Sequence, residues 1–434
     1  MRFSLLTAAL ASTASFAAAQ LPPFETGNFY VSDFNNDRIA VYDATGAFLR
    51  SFTGPGLDGP RGIVVLDDGG IFVSSENTDA VYVFDAAEQY VSQFTDAELM
   101  GPTGLALSPS GELHVSSFQN ARVCVFALDG TFQRSYTALG LGLPNCIAFD
   151  ENGSIYVASV TGAQIVKFDP NEQYVASFQP SPPLTLSSPM AIARDACGVL
   201  HVSGGGSNNI LKFTPSGTFL GEITHPNLTG PQGIAFDDRG HMWSSSFFQD
   251  KLVEFDASGN PVQVVSAGGL SVPRSIAFAR GAPMGTTPFG CGVNPAGSLQ
   301  ILGGSSRIGS DLSIGLDNPL GTQTAGATTP WLLGSLRALP GFPCGVAVPG
   351  FGLAGGGAAG ELLIDLGTPF YVLALSGSPW QSAGTPVPMT LSIPYSCGLV
   401  GVRLFVQGVL LDPNPSSAVP IGLTGAAEVR IGAE

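Results

Sequence analysis

The residues of this chain best placed to do chemistry are two arginines in matching sequence contexts. Arg61 follows Pro60 and Arg274 follows Pro273, and Thr103, Asn145, Met190 and Gln232 each follow a proline in a similar setting. Guanidinium groups gathered at a concave surface clamp a carboxylate, phosphate or uronate through paired N–H donors. The same arginines serve structure if they meet Asp33, Asp37 or Asp58 in ion pairs, and the residues alone leave both readings open. Other chemistry is thinly represented. The four histidines (His114, His201, His225 and His241) are scattered, there is no C-x-x-C pair, and no histidine lies near a cysteine pair, so no zinc set is expected. Gly204-Gly205-Gly206-Ser207 lacks the Lys-Ser/Thr ending and the following helix of a phosphate cradle. A Gly-x-Ser-x-Gly elbow with a helix after it is also missing. No catalytic residue, metal or cofactor is assigned.

What must position the arginines is a repeat running from Pro60 to Pro273. Its first copy reads GPRGIVVLDDGGIFVSSENTDAVYVFD and its fifth GPQGIAFDDRGHMWSSSFFQDKLVEFD. The repeat prolines fall at 60, 102, 144, 189, 231 and 273, giving spacings of 42, 42, 45, 42 and 42 residues. Self-similarity at this period marks a solenoid, a propeller or an array. Each copy reads as four short β-rich runs, at 62–65, 71–74, 81–84 and 90–94 in the first, separated by turn-forming residues. None carries the 3.6-residue period of a helical repeat. Four strands per unit is the size of a propeller blade, and radial repetition protects the sheet edges.

The two ends of the repeat region complement each other. Residues 27–52 match the second, third and fourth strands of a copy, and residues 272–279 match only the first. One blade assembled from both ends closes the ring, which predicts an all-β six-bladed β-propeller with a composite first blade. Inner strands of a propeller line its channel, so Arg61, Thr103, Asn145, Met190, Gln232 and Arg274 are expected at the mouth, with Arg61 and Arg274 as neighbours. Asp33, Phe34, Phe118, Phe247 and Phe248 lie in loops expected to rim the same face. Such aromatics suit stacking on sugars or apolar groups, or else plug gaps between blades. The extra three residues of the long spacing fall between Phe178 and Pro189, in a loop entering an inner strand. Insertions of that kind often map to a binding face.

Tyr30-Val31-Ser32-Asp33 with Asn36-Asp37-Arg38-Ile39, and Pro102-Thr103-Gly104-Leu105-Ala106 with Pro231-Gln232-Gly233-Ile234-Ala235, resemble the blade pattern of the NHL-repeat family. The resemblance spans residues 27–280 and implies a propeller. It departs at the second-strand Asp, because the copies after Asp33 carry Ser75, Ser117, Ser159, Gly204 and Ser246. An Asp–Arg support shared by every blade is therefore not expected. Calcium-dependent propeller lactonases, which the repeat also resembles, place carboxylates and Asn at the mouth, as a hard cation requires. Here Thr103, Asn145 and Gln232 stand beside two arginines that would repel the metal. Amidating lyases on NHL repeats use several histidines around zinc, and streptogramin-type lyases need His and Glu together. His114 and His201 instead share the repeat slot of Tyr30, Phe72, Tyr156 and Trp243, a packing position. The reading is a ligand- or partner-binding module acting through the channel mouth, with carbohydrate or protein as the partner classes. The alternatives are a propeller lyase or hydrolase acting on a lactone or polysaccharide, and a structural role in an extracellular layer.

Composition agrees. Of 434 residues 12% are charged and the net charge is −16, which argues against nucleic acid or an anionic membrane surface as partner. Arg2, an apolar run and Ala17-Ala18-Ala19 before Gln20 read as a signal peptide over 1–19, cleaved after Ala19, so the protein is expected to be secreted, periplasmic or at the cell surface. No membrane span is expected. The domain order that follows is a propeller over 20–280, a linker over 281–288 and a β-sandwich over 289–434, with strands near 298–302, 311–316, 361–366, 371–376, 389–393, 402–406 and 428–431. Phe289-Gly290-Cys291-Gly292 and the run from Leu399 to Gln407 resemble a C-terminal module appended to secreted bacterial proteins. Each domain holds three cysteines, and the pairing expected is Cys291 with Cys344. Cys146 occupies a small-residue slot of the repeat and Cys124 a mid-strand packing position.

Overall fold

The computed structural model describes residues 28–66, 68–237, 239–278, 285–367, 369–394, 396 and 399–432. The expected signal peptide lies outside these residues. The described residues fall into two compact units, 28–278 and 285–432.

In the first unit the repeat folds as six four-stranded antiparallel sheets. The inner strands are Pro60–Val65, Pro102–Leu107, Pro144–Phe149, Pro189–Arg194, Pro231–Phe236 and Pro273–Phe278, and each touches the next all the way round a closed ring. The sheet that closes it joins both ends of the repeat region. Pro273–Phe278 pairs with Phe29–Asp33, with Ile276 opposite Val31 and Ala277 opposite Tyr30. The unit is a six-bladed β-propeller.

Stacking of blade on blade explains why the strands are apolar on both faces. Successive side chains point to opposite sides of a sheet. Phe29 and Val31 pack with Trp243 and Leu252 of the preceding blade, while Tyr30 packs with Ile63, Val73 and Tyr82 of the following one. Six such clusters form, one at each junction. The outermost strands, such as Tyr90–Phe94, face solvent.

Polar side chains tie the ring together at the inner strands. Ser74 Oγ accepts from Gly62 N of its own blade and donates to Thr103 O of the next. Ser203, Ser245 and Ser32 repeat this bridge. The departures from the second-strand Asp have a physical account. Asp33 accepts from Ser271 N two residues before Pro273, and Ser75, Ser117, Ser159 and Ser246 accept from the equivalent amides of Asp58, Met100, Gly142 and Thr229. A hydroxyl thus does the carboxylate's local work, and only Asp33 adds an ion pair, with Arg38 at 2.7 Å.

The second unit is a β-sandwich. One sheet has the order Gly285–Phe289, Ile421–Arg430, Arg403–Leu411, Thr329–Ser335, Tyr371–Ser376, and the other Leu299–Gly304, Asp311–Leu316, Val387–Ser392. Ile314, Leu316 and Met389 of the second sheet meet Leu332, Val406 and Val429 of the first in one core. Residues 285–288, expected as linker, are instead part of an edge strand pairing with Ile421–Arg430. Thr286 and Thr287 favour strand, and Pro288 is tolerated at an edge. Val346–Pro349 and Ala359–Leu362 pair as a small hairpin. Among the described residues no helix is long and apolar enough to cross a membrane.

Candidate site at the channel mouth

The backbone itself aims the residues that follow the repeat prolines. In each of the five whole blades the pairing of the inner strand slips between the proline and the third residue after it, as between Pro60 and Ile63. Such a bulge frees side chains from the ladder and re-aims them. As a result Arg61, Thr103, Asn145, Met190, Gln232 and Arg274 all line one cavity of about 60 Å³, together with Gly62, Gly104, Cys146, Gly233 and their neighbours. The glycines are steric necessities, since neighbouring inner strands converge here. A Cβ on Gly104 would sit 2.1 Å from Asn145 O, and one on Gly62 2.4 Å from Thr103 O.

The two arginines are in unlike circumstances. Arg61 is buried and its Nη1 lies 2.7 Å from a carboxylate oxygen of Glu76. That contact corrects the pairings considered above. Asp33 is fully buried against Arg38, Asn36 and Ser271 N, Asp37 accepts from Gly59 N, and Asp58 accepts from Asn77. Asp33 is therefore a loop support and not a rim residue. Arg274 makes no ion pair among the described residues. Its Nη1 donates to Gln232 Oε1 at 3.0 Å and its Nε has no acceptor. The guanidinium lies between the rings of Phe34 and Phe247, 4.6 and 4.5 Å from their centroids. Burial, and then the charge of Arg61, push its pKa down to about 9, with Glu76 opposing. It is still a cation at neutral pH. With Arg61 balanced by Glu76, one positive charge at the mouth is left without a counter-charge.

The remaining side chains complete the wall. Thr103 Oγ donates to Pro144 O and Asn145 O, and Asn145 Nδ2 rests against Met190 Sδ at 2.9 Å. Phe118 lies 5.9 Å from the Arg61 guanidinium. Phe248 stands edge-on to Phe247 and is 68% exposed. The longer loop before Pro189 packs on the Gly204–Ser207 turn, its Ser187 and Ser188 carbonyls accepting from Gly206 and Gly205. Glu76, which balances Arg61, was missing from the sequence-derived site. It occupies the loop slot of Phe34, Phe118 and Phe247, and aligning that slot would have revealed it.

The histidines lie elsewhere. His114 packs against Tyr136 and Phe149, His201 against Phe236 and Asp195, and His225 against Phe255. His241 Nδ1 is 2.7 Å from Glu254 Oε1, beside Asp237. These three groups lie close enough to suggest a metal, but Arg239 already bonds both carboxylates. Cys291 and Cys344 form a disulfide with Cα atoms 5.0 Å apart, while Cys124 and Cys146 are free thiols. Cys397 lies outside the described residues.

No family model matches the chain, and no curated protein matches it in sequence. Solved structures do resemble it. A nidogen/laminin complex matches with a TM-score of 0.50 at 15% identity, over 58% of this chain and 98% of that one. A protein of unknown function from Bacteroides caccae matches with a TM-score of 0.50 at 13% identity, over 59% of this chain and 100% of that one. Virginiamycin B lyase from Staphylococcus aureus reaches 0.43 at 19% identity, over 50% and 73%. At these identities the likeness bears on fold, and the class of protein defined is a β-propeller with an appended β-sandwich.

Proposed function

We propose that this chain is a secreted NHL-type propeller that binds an anionic group of a ligand or partner at the channel mouth. The observation that carries the reading is Arg274, a guanidinium facing the cavity with no carboxylate partner among the described residues, between Phe34 and Phe247. Buried charges are ordinarily paired, so an uncompensated one at a concave surface points to a counter-charge supplied from outside. The Asp33–Arg38 pair with Asn36 supports NHL kinship, and the leader-like start together with a disulfide supports export. Titration calorimetry of the full chain with acetate, phosphate and galacturonate, beside Arg274→Gln, tests the reading. Anion-dependent heat that disappears in the variant supports it. Equal responses from both proteins would remove Arg274 from the site.

A further inference from the structure

The cavity is small. At about 60 Å³ it is far below the roughly 300–1,000 Å³ of sites that enclose a small molecule, yet it exceeds what a few waters require. A carboxylate with its attached methylene suits such a space, and a larger ligand would extend into the open mouth. Its one uncompensated charge matches a monoanion. What surrounds the mouth then decides what carries the carboxylate.

Two slots of the repeat depart from their usual polarity on this face. The second residue of the mouth loop is Asn35, Asn77, Gln119, Thr161 and Gly206 in five blades but Phe248 in the sixth. Two residues before the proline stand Asp58, Gly142, Ser187, Thr229 and Ser271, but Met100 in the blade of Pro102. Both exceptions are exposed, Phe248 by 68% and Met100 by 43%. In a ring of six the blade of Phe248 stands opposite the blade of Met100. Phe248 touches Phe247, which lies against the Arg274 guanidinium, and the opposite blade carries Phe118 and Met100, so the cation has apolar residues in its neighbouring blade and in the blade opposite that one.

We infer that the mouth docks an extended segment of a protein partner, which inserts one Asp or Glu side chain toward Arg274 and lays apolar side chains on Phe248 and Met100. This rests on the anion-binding reading and narrows it. A free anion gains nothing from the two exposed apolar residues, whereas a segment crossing the mouth buries them. Aromatic anchors around a buried charged contact are the usual makings of a hot spot.

The test uses the full chain and three probes: acetate, galacturonate and a blocked peptide, acetyl-Gly-Leu-Gly-Asp-Gly-Leu-Gly-amide. The peptide is expected to bind at least tenfold more tightly than acetate or galacturonate by calorimetry. Phe248→Ser and Met100→Ser, each placing a small polar residue at a slot that is polar or small in the other blades, should weaken the peptide severalfold and leave acetate unchanged. Arg274→Gln should abolish both, and the Asn version of the peptide should not bind. If acetate binds as well as the peptide and both serine variants are silent, the protein-segment proposal falls while the anion site stands. If galacturonate binds best, a glycan replaces the segment. If nothing binds, the anion reading fails with it.

Discussion

The Ser275 amide donates to Ser32 Oγ at 2.7 Å across 243 residues of chain, and the same hydroxyl donates to Arg61 O. One side chain thus joins the two ends of the repeat region and ties their shared blade to the next, directly beneath both arginines. Ser32→Ala leaves a buried N–H and C=O without this partner, a cost of about 1–3 kcal/mol. The propeller's melting temperature should fall by on the order of 5 °C. Ser116 is an internal control, because it occupies the equivalent slot but its Oγ has no partner. Ser116→Ala should be near neutral in the same melt. Equal effects from the two variants would mean that the closing bridge carries no special weight.

A second expectation concerns acid. His114 is 2% exposed, and burial, aided by Arg134, lowers its pKa to about 4. In the unfolded chain an ordinary histidine takes its proton near 6.5. Between those values the unfolded state binds more protons, so stability falls as pH drops from about 6.5 to about 4. The ceiling on this loss is about 3 kcal/mol. The equivalent residue in the preceding blade is Phe72, which suggests the variant. His114→Phe should flatten the decline between pH 6.5 and 4 in denaturant melts, with a small loss at neutral pH where the Tyr136 hydroxyl misses its partner. A variant as acid-labile as the parent would place the sensitivity elsewhere.

The Arg274 guanidinium has its own pH signature. Because burial and Arg61 depress it to about 9, it is charged at pH 7 and loses charge as pH rises through that value. Its folded value lies below its unfolded one, so deprotonation favours the folded state, and alkali alone should not unfold the propeller through this group. Anion affinity, in contrast, should be flat from pH 6 to 8 and decline above about 9. A calorimetric series over that range measures it. Affinity unchanged at pH 10 would assign the anion to another cation.

The propeller was legible because its determinants are local and repeated. A proline, a small residue where strands converge, and alternating apolar strands recur at spacings of 42 or 45 residues, and the incomplete ends add up to one blade. A further regularity lies in plain view: Leu57, Leu99, Leu141, Leu186, Leu228 and Leu270 each precede a repeat proline by three residues and are buried between blades. The mouth residues were legible for the same reason, since ring order follows chain order. What spacing does not disclose is which neighbour a charge selects. Arg61 turns to Glu76 in its own blade's loop, and Asp33 folds back on Arg38, choices set by side-chain reach and burial. The sandwich was less legible, because it lacks an internal repeat. Thr329–Ser335, an interior strand of its larger sheet, contains Pro330 and reads poorly as strand, yet the sheet partners on both sides hold it.

The last prediction concerns that sandwich, where Gln407 gathers three buried backbone groups. Its Nε2 donates to Glu361 O and Thr424 O, and its Oε1 accepts from Leu363 N. The carboxylate of Glu361 in turn accepts from Cys291 N and Gly345 N, on either side of the Cys291–Cys344 disulfide. Gln407→Leu roughly keeps the volume but takes the acceptor from Leu363 N and leaves Glu361 O and Thr424 O with Asn294 Nδ2 alone, which costs about 1–3 kcal/mol. Removing the disulfide with Cys291→Ser and Cys344→Ser opens a loop with a sequence separation of 53, and chain entropy puts that near 4 kcal/mol. The two defects meet at one residue, Glu361, one at its backbone carbonyl and the other beside its carboxylate, so they should not add: once the bridge is gone, the polar network around Glu361 has already loosened. Melting of the single, double and triple variants, followed through a sandwich signal such as Trp331 and Trp380 fluorescence, should show a combined loss smaller than the sum. Full additivity would mean that the bridge and the Gln407 network hold the sandwich independently.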